Sequence, residues 1–124
     1  MGALHTEGAG PIRPDMPASV RRTVRFVDQH GHESISVGDM ADAAHLSVRG
    51  LQALLRRHLD LTPLELLRRT RLARVRDDLE HAGPGDTVGA IASVRGFAHL
   101  GRFAADYRAT YGEKPSATLR RATA

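Results

Sequence analysis

The chain has 124 residues, a formal net charge of +4 at pH 7 and a sequence pI near 10.6. It contains no cysteine, which excludes a disulfide framework, a thiolate metal site and a cysteine nucleophile, and suits a reducing, cytoplasmic compartment. No apolar run approaches the ~18 residues of a membrane span, no signal-peptide core opens the chain, and the basic balance favours an anionic partner.

Residues 1–17 are rich in Gly, Ala and Pro and carry no hydrophobic period, so they read as a disordered lead-in or interdomain linker. Over residues 18–29, Val20, Val24 and Val27 recur at i, i+4 and i+7, with Arg21, Arg22, Arg25 and Asp28 on the other faces. This is a first amphipathic helix with a solvated charged side, stopped at Gly31.

Ser36 is an N-cap with Asp39 three residues on, starting a short helix through Ala44. Ser47 caps the next helix, residues 48–58. Counted from Val37, apolar or small residues stand at positions 4 (Met40), 5 (Ala41), 8 (Ala44), 10 (Leu46), 15 (Leu51) and 18 (Leu54). A small residue at position 5 lets two helices cross closely, and positions 10, 15 and 18 close the angle between them. That is the spacing of a helix-turn-helix. Position 9, where the turn needs positive φ, is held by His45.

A long helix follows from Pro63 to His81, opened by Thr62-Pro63-Leu64-Glu65: a capping Thr, a Pro at the first helical position and a Glu that can bond back. Leu64, Leu67, Leu72, Val75 and Leu79 fall along one broad face, and Gly83-Pro84-Gly85 ends the helix. Asp77, Asp78 and Glu80 read as a solvated acidic face at its end.

Beyond it the pattern returns. A shift of 51 places Val37, Met40, Ala41 and Leu46 on Val88, Ile91, Ala92 and Phe97. A shift of 52 places Pro63, Leu67, Arg68 and Arg69 on Pro115, Leu119, Arg120 and Arg121, so a one-residue slip lies near Ala98. Thr87 is the second N-cap, Gly96 the second turn residue, and a helix over residues 99–111 turns Leu100, Phe103, Tyr107 and Tyr111 inward. Gly112 ends it and Pro115 starts a short last helix. The expected organisation is a lead-in (1–17), a first helix-turn-helix subdomain (18–62), a central connecting helix (63–82) and a second helix-turn-helix subdomain (83–124). The fold class is all-α, with about seven helices.

The outward faces of the two second helices carry the candidate chemistry. Arg49, Gln52, Ala53 and Arg56 lie at i, i+3, i+4 and i+7, opposite Leu51, Leu54 and Leu55. Arg can pair with guanine O6 and N7, Gln with adenine N6 and N7, and a small apolar side chain can meet a thymine methyl. The second helix presents Gly101, Arg102, Ala105, Arg108 and Ala109, with Arg102 long and early enough to reach base edges and Arg108 placed for phosphate. His99 stands at its start, as a base or phosphate contact or as a simple cap.

Together with Ser47-Val48-Arg49-Gly50-Leu51-Gln52, the order Leu61-Thr62-Pro63-Leu64-Glu65-Leu66-Leu67-Arg68, Arg71-Leu72, Ile91-Ala92, Gly96-Phe97, Arg102-Phe103 and Tyr111-Gly112 to Pro115 resembles the DNA-binding domain of the AraC/XylS transcription regulators. The likeness covers residues 18–121. It departs from the family at Asp60 (a Gly before Leu-Thr-Pro), at Leu66 (an aromatic) and at His45 in the first turn. The resemblance implies two helix-turn-helix subdomains joined by the long helix, with both recognition helices entering successive major grooves of double-stranded DNA. It assigns Ser47, Arg49, Gln52, Ala53, Arg56, His99, Gly101, Arg102, Ala105 and Arg108 to that interface. It further implies a bacterial, nucleoid-associated regulator that works with RNA polymerase. Any effector ligand would act through a domain absent from this chain, and the isolated domain is expected to be a monomer.

Other chemistries find no support in the sequence. His30-x-His32 lacks a further ligand at metal spacing, and His5, His45, His58, His81 and His99 are scattered. No serine and histidine form a nucleophile elbow, and Gly83-Pro84-Gly85 is a loop breaker, not a phosphate cradle. No catalytic residue, metal or cofactor is expected, and the chain does not read as an enzyme. The alternative function is a protein-interaction or regulatory module that keeps the fold with weak DNA readout, because Gly101 and Ala105 give the second helix little to read with.

Overall fold

The computed structural model describes residues 5–6, 10–11 and 13–124. A two-residue antiparallel pair, β1 (His5–Thr6) with β2 (Gly10–Pro11), precedes seven helices. These are α1 (Ala18–His30), α2 (Val37–Ala43), α3 (Val48–Leu59), α4 (Pro63–Glu80), α5 (Val88–Val94), α6 (Leu100–Tyr111) and α7 (Pro115–Thr123). The chain divides into two compact units, Met1–Arg71 and Leu72–Ala124, so each half of α4 belongs to a different unit. Of the lead-in expected over residues 1–17, residues 1–4, 7–9 and 12 lie outside the described residues. Its end does not behave as a linker: Met16 is buried in the first core.

In the first unit the core gathers Val20, Val24 and Val27 of α1, Met40 and Ala41 of α2, and Leu51 and Leu55 of α3. Leu61, Leu66 and Leu67 join them from the start of α4 and the residues before it. Burying an aliphatic side chain of this size contributes about 1.5–3 kcal/mol, so this face holds the helices together. Both reciprocal caps form. Ser36 Oγ accepts from the Asp39 amide and Asp39 accepts from the Ser36 amide, while Thr62 and Glu65 do the same at α4, at 3.1 and 2.7 Å. These bonds hold the Glu65 carboxyl below its ordinary pKa.

Three partly exposed arginines of this unit donate to backbone carbonyls. Arg21 donates to the carbonyls of Met16 and Pro14, and Arg22 Nη2 reaches Ala44 O at 3.4 Å. Arg71 of α4 donates to Gly31 O (2.5 Å) and Glu33 O (2.9 Å), tying the α1–α2 loop to α4. The expected single apolar face of α4 is corrected at its first turn: Leu64 is 56% exposed, and Leu66 is fully buried in its place. The reason is that α4 serves two cores. Leu66, Leu67 and Thr70 are buried in the first half of α4, and Leu72, Val75 and Leu79 in the second.

The second unit packs Leu72, Val75 and Leu79 against Ala92 of α5 and Phe103 and Tyr107 of α6. Phe97, Phe103, Tyr107 and Tyr111 form a chain of tilted ring contacts with centroids 4.8–5.8 Å apart. Arg76 lies over the Tyr111 ring at 4.5 Å. Leu100, expected to face inward, is 47% exposed at the first turn of α6. The acidic end of α4 is not a uniformly solvated face either. Asp78 accepts two hydrogen bonds from Arg95, at 2.6 and 2.9 Å, and so clamps the end of α5 to α4. At the other end of the unit, the Tyr107 and Thr118 hydroxyls are 2.9 Å apart, Thr118 donates to Glu113, and Arg121 meets both Glu113 oxygens at 2.9 Å.

The internal repeat is visible in the backbone. His45 and Gly96, 51 residues apart, both take positive φ. The N-caps Ser47 and His99, and the left-handed caps Asp60 and Gly112, are 52 apart. The one-residue slip therefore sits between the turn and the second helix, at Ala98.

Candidate nucleic-acid interface

Each helix-turn-helix is closed by the same pair of backbone bonds. His45 N donates to Asp42 O at 3.0 Å and Leu46 N to Ala41 O at 2.9 Å. Gly96 N donates to Ser93 O and Phe97 N to Ala92 O, both at 3.1 Å. The positive φ that permits this is 61° at His45 and 98° at Gly96. Ala41 and Ala92, the small residues where the helices cross, are buried.

The second helix of each motif shows one buried and one open face. On α3, Leu51 and Leu55 are fully buried while Ser47, Arg49, Gln52, Ala53 and Arg56 are exposed. On α6, Phe103 and Tyr107 are buried while Gly101, Arg102, Ala105 and Arg108 are exposed, with His99 open just before the helix. Among the described residues, Arg49, Gln52, Arg102 and Arg108 have no side-chain hydrogen bond or ion pair. Their polar heads are available to an external acceptor.

Two of the candidates, Ser47 and Arg56, are already occupied in part. Ser47 Oγ accepts from the Gly50 amide at 3.0 Å, so it caps α3 while its hydroxyl hydrogen can still be donated to a further partner. His99 is the residue before α6, yet its side chain makes no capping bond. Arg56 is held by Asp60, Nη1 to Oδ1 at 3.0 Å. The sequence reading missed this pair, although Arg and Asp four residues apart at a helix end are a recognisable signal. It also missed the clamps Asp78–Arg95 and Glu113–Arg121, whose partners meet only after the chain has turned.

The histidines gain carboxylate neighbours instead of each other. His30 and His32 both approach Glu33, at 3.0 and 3.7 Å. Among the described residues there is no group of three or more metal-ligating side chains that could hold an ion. His81 Nδ1 lies 2.8 Å from Asp77 O, and this contact with the adjacent carboxylate raises its pKa. Among the described residues, no helix is long and apolar enough to cross a membrane.

The two helix-turn-helix motifs, each with an exposed polar face on its second helix, have counterparts among known proteins. Residues 40–121 match the family described as helix-turn-helix domain. The crystal structure of a probable AraC family transcriptional regulator from Rhodopseudomonas palustris CGA009 superposes with a TM-score of 0.80 at 31% identity, covering 87% of this chain and 100% of that one. The chain belongs to the AraC/XylS family. It is an all-α helix-turn-helix DNA-binding domain of transcription regulators, not an enzyme.

Among sequence relatives of this AraC/XylS domain, "XylDLEGF operon transcriptional activator 2" of Pseudomonas putida is 39% identical over 101 residues, covering 79% of this chain and 63% of the relative. "Probable thc operon regulatory protein" of Rhodococcus erythropolis is 37% identical over 109 residues, covering 87% of this chain and 33% of the relative. The domain thus spans about a third to under two thirds of the length of these relatives.

Proposed function

We propose that this AraC/XylS domain recognises a specific double-stranded DNA sequence by placing α3 and α6 in successive major-groove segments, and regulates transcription from that site. The observation that carries the reading is that Arg49 and Gln52 on α3, and Arg102 on α6, are exposed and without partners among the described residues, each opposite a buried apolar face of its own helix. Both readers belong to one chain, so one protomer suffices for a whole site. On this reading the domain works in the cytoplasm at the nucleoid, beside RNA polymerase, and any effector acts through a further domain of the regulator.

The two helices read unequally. α3 offers Arg49, Gln52 and Ala53, whereas α6 offers Arg102 among Gly101, Ala105 and Ala109. Selection from a random DNA pool, followed by footprinting, tests this. The expected result is two half-sites about one turn apart, 10–10.5 base pairs, occupied by one protomer. A site of about 5 base pairs, or binding that requires a second protomer, would overturn the two-groove reading.

A further inference from the structure

The second helix of each motif is followed by a cap residue in the left-handed region, Asp60 after α3 and Gly112 after α6. Asp60 follows α3 with φ 54° and ψ 40°, its amide donating to Arg56 O at 3.2 Å. Gly112 follows α6 with φ 76° and ψ 6°, its amide donating to Arg108 O at 2.8 Å. Arg56 and Arg108 are therefore equivalent, each in the last turn of its helix and four residues before a left-handed cap. Arg108 has no partner among the described residues, whereas Arg56 Nη1 lies 3.0 Å from Asp60 Oδ1 and 3.4 Å from Asp60 O.

The carboxylate is not needed for the turn, because a glycine takes this conformation without steric cost, as Gly112 does. Nor does it add much stability. The side chains are 57% and 89% exposed, and exposed i,i+4 pairs contribute little. Beside a helix that meets DNA, an acid also repels phosphate. What the contact does supply is orientation. A loose arginine settles on any phosphate oxygen within reach. With Nη1 held by Asp60, Arg56 keeps its Nε–Nη2 edge, two parallel donors with the spacing of guanine O6 and N7.

We propose that Asp60 is a positioning residue for sequence readout: it holds Arg56 so that this edge reads one guanine, while Arg108, lacking such an acid, contacts phosphate without base preference. The inference rests on α3 being a recognition helix, as proposed above.

The test is random-pool selection with the 124-residue chain and the variants Asp60→Gly, Asp60→Asn, Arg56→Ala and Arg56→Ala/Asp60→Gly. Thermal melting confirms that each folds, and Asp60→Gly suits the left-handed cap. The wild type should prefer guanine at one position by about fivefold or more. Asp60→Gly should reduce that preference below about twofold while binding unselected DNA more tightly, with a salt slope steeper by about one. Asp60→Asn retains an acceptor oxygen and should keep most of the preference. Arg56→Ala should erase it, and adding Asp60→Gly to Arg56→Ala should change preference nowhere.

The inference is overturned if Asp60→Gly keeps the guanine preference. It is equally overturned if Arg56→Ala alters no position while the wild type still selects a sequence, a result that leaves DNA recognition by this domain standing. A wild type that enriches no sequence at all overturns the DNA reading itself and this inference with it.

Discussion

The two turn residues make opposite predictions from one geometry. His45 has φ 61°, inside the left-handed well that a non-glycine residue can occupy. Gly96 has φ 98°, beyond that well and open in practice to glycine. Gly96→Val puts a β-branched side chain there, at a cost of about 1–3 kcal/mol, and strains the Phe97–Ala92 bond that closes the turn. His45→Gly removes about 1–2 kcal/mol of left-handed strain. About half of that is offset by about 0.5–1 kcal/mol of added freedom in the unfolded chain. For a domain of this size 1 kcal/mol shifts Tm by about 4–8 °C. Gly96→Val should therefore lower the melting temperature of the second unit by about 5–20 °C, and His45→Gly should stay within a few degrees of wild type. Circular dichroism melts, with amide exchange of α5 and α6 to localise the loss, provide the measurement. If His45→Gly proves the more damaging, the turn argument fails.

Arg108→Ala should weaken binding to all DNA sequences alike and reduce the salt slope by about one, as titrations at several salt concentrations would show; an unchanged slope means that Arg108 touches no phosphate. Arg49→Ala or Gln52→Ala should relax preference in one half-site and Arg102→Ala in the other, by about 1–3 kcal/mol at one or two base pairs each. A half-site under α6 as rich in information as that under α3 would refute the inequality of the helices. Glu113 gives a pH signature. The Arg121 guanidinium, with the Thr118 hydroxyl, holds its pKa at about 2, against 4.5 ordinarily. A depressed carboxylate stabilises the fold above its unfolded pKa and loses that contribution as pH falls through its folded value. Denaturant midpoints should accordingly drop between about pH 4.5 and pH 2 in the wild type, and drop less in Glu113→Gln. Equal losses would show that the α6–α7 clamp does not couple to acid stability.

What the sequence determined by itself is what depends on local spacing. Caps such as Ser36–Asp39 and Thr62–Glu65 involve residues three apart, so they are legible before any tertiary contact exists. The helix-turn-helix spacing, the positive φ at His45 and Gly96, and the open faces of α3 and α6 follow from the same short-range periodicity, made distinct by its repetition. The slip near Ala98 could be counted from the sequence, and the backbone puts it directly before the cap of α6.

Tertiary structure decided which side of a helix is covered when two cores compete for it. α4 gives Leu66 and Leu67 to one core and Leu72, Val75 and Leu79 to another, which leaves Leu64 exposed and defeats a single-face reading. It also decided which charges are solvated. Arg71, Arg95 and Arg121 look alike in a basic sequence, but each finds acceptors brought near by a chain reversal. Arg49, Arg102 and Arg108 meet none among the described residues. An arginine's partner depends on loop closure as much as on neighbours in the chain, which is why composition and periodicity pointed to an anionic ligand without separating the structural arginines from those left free to bind it.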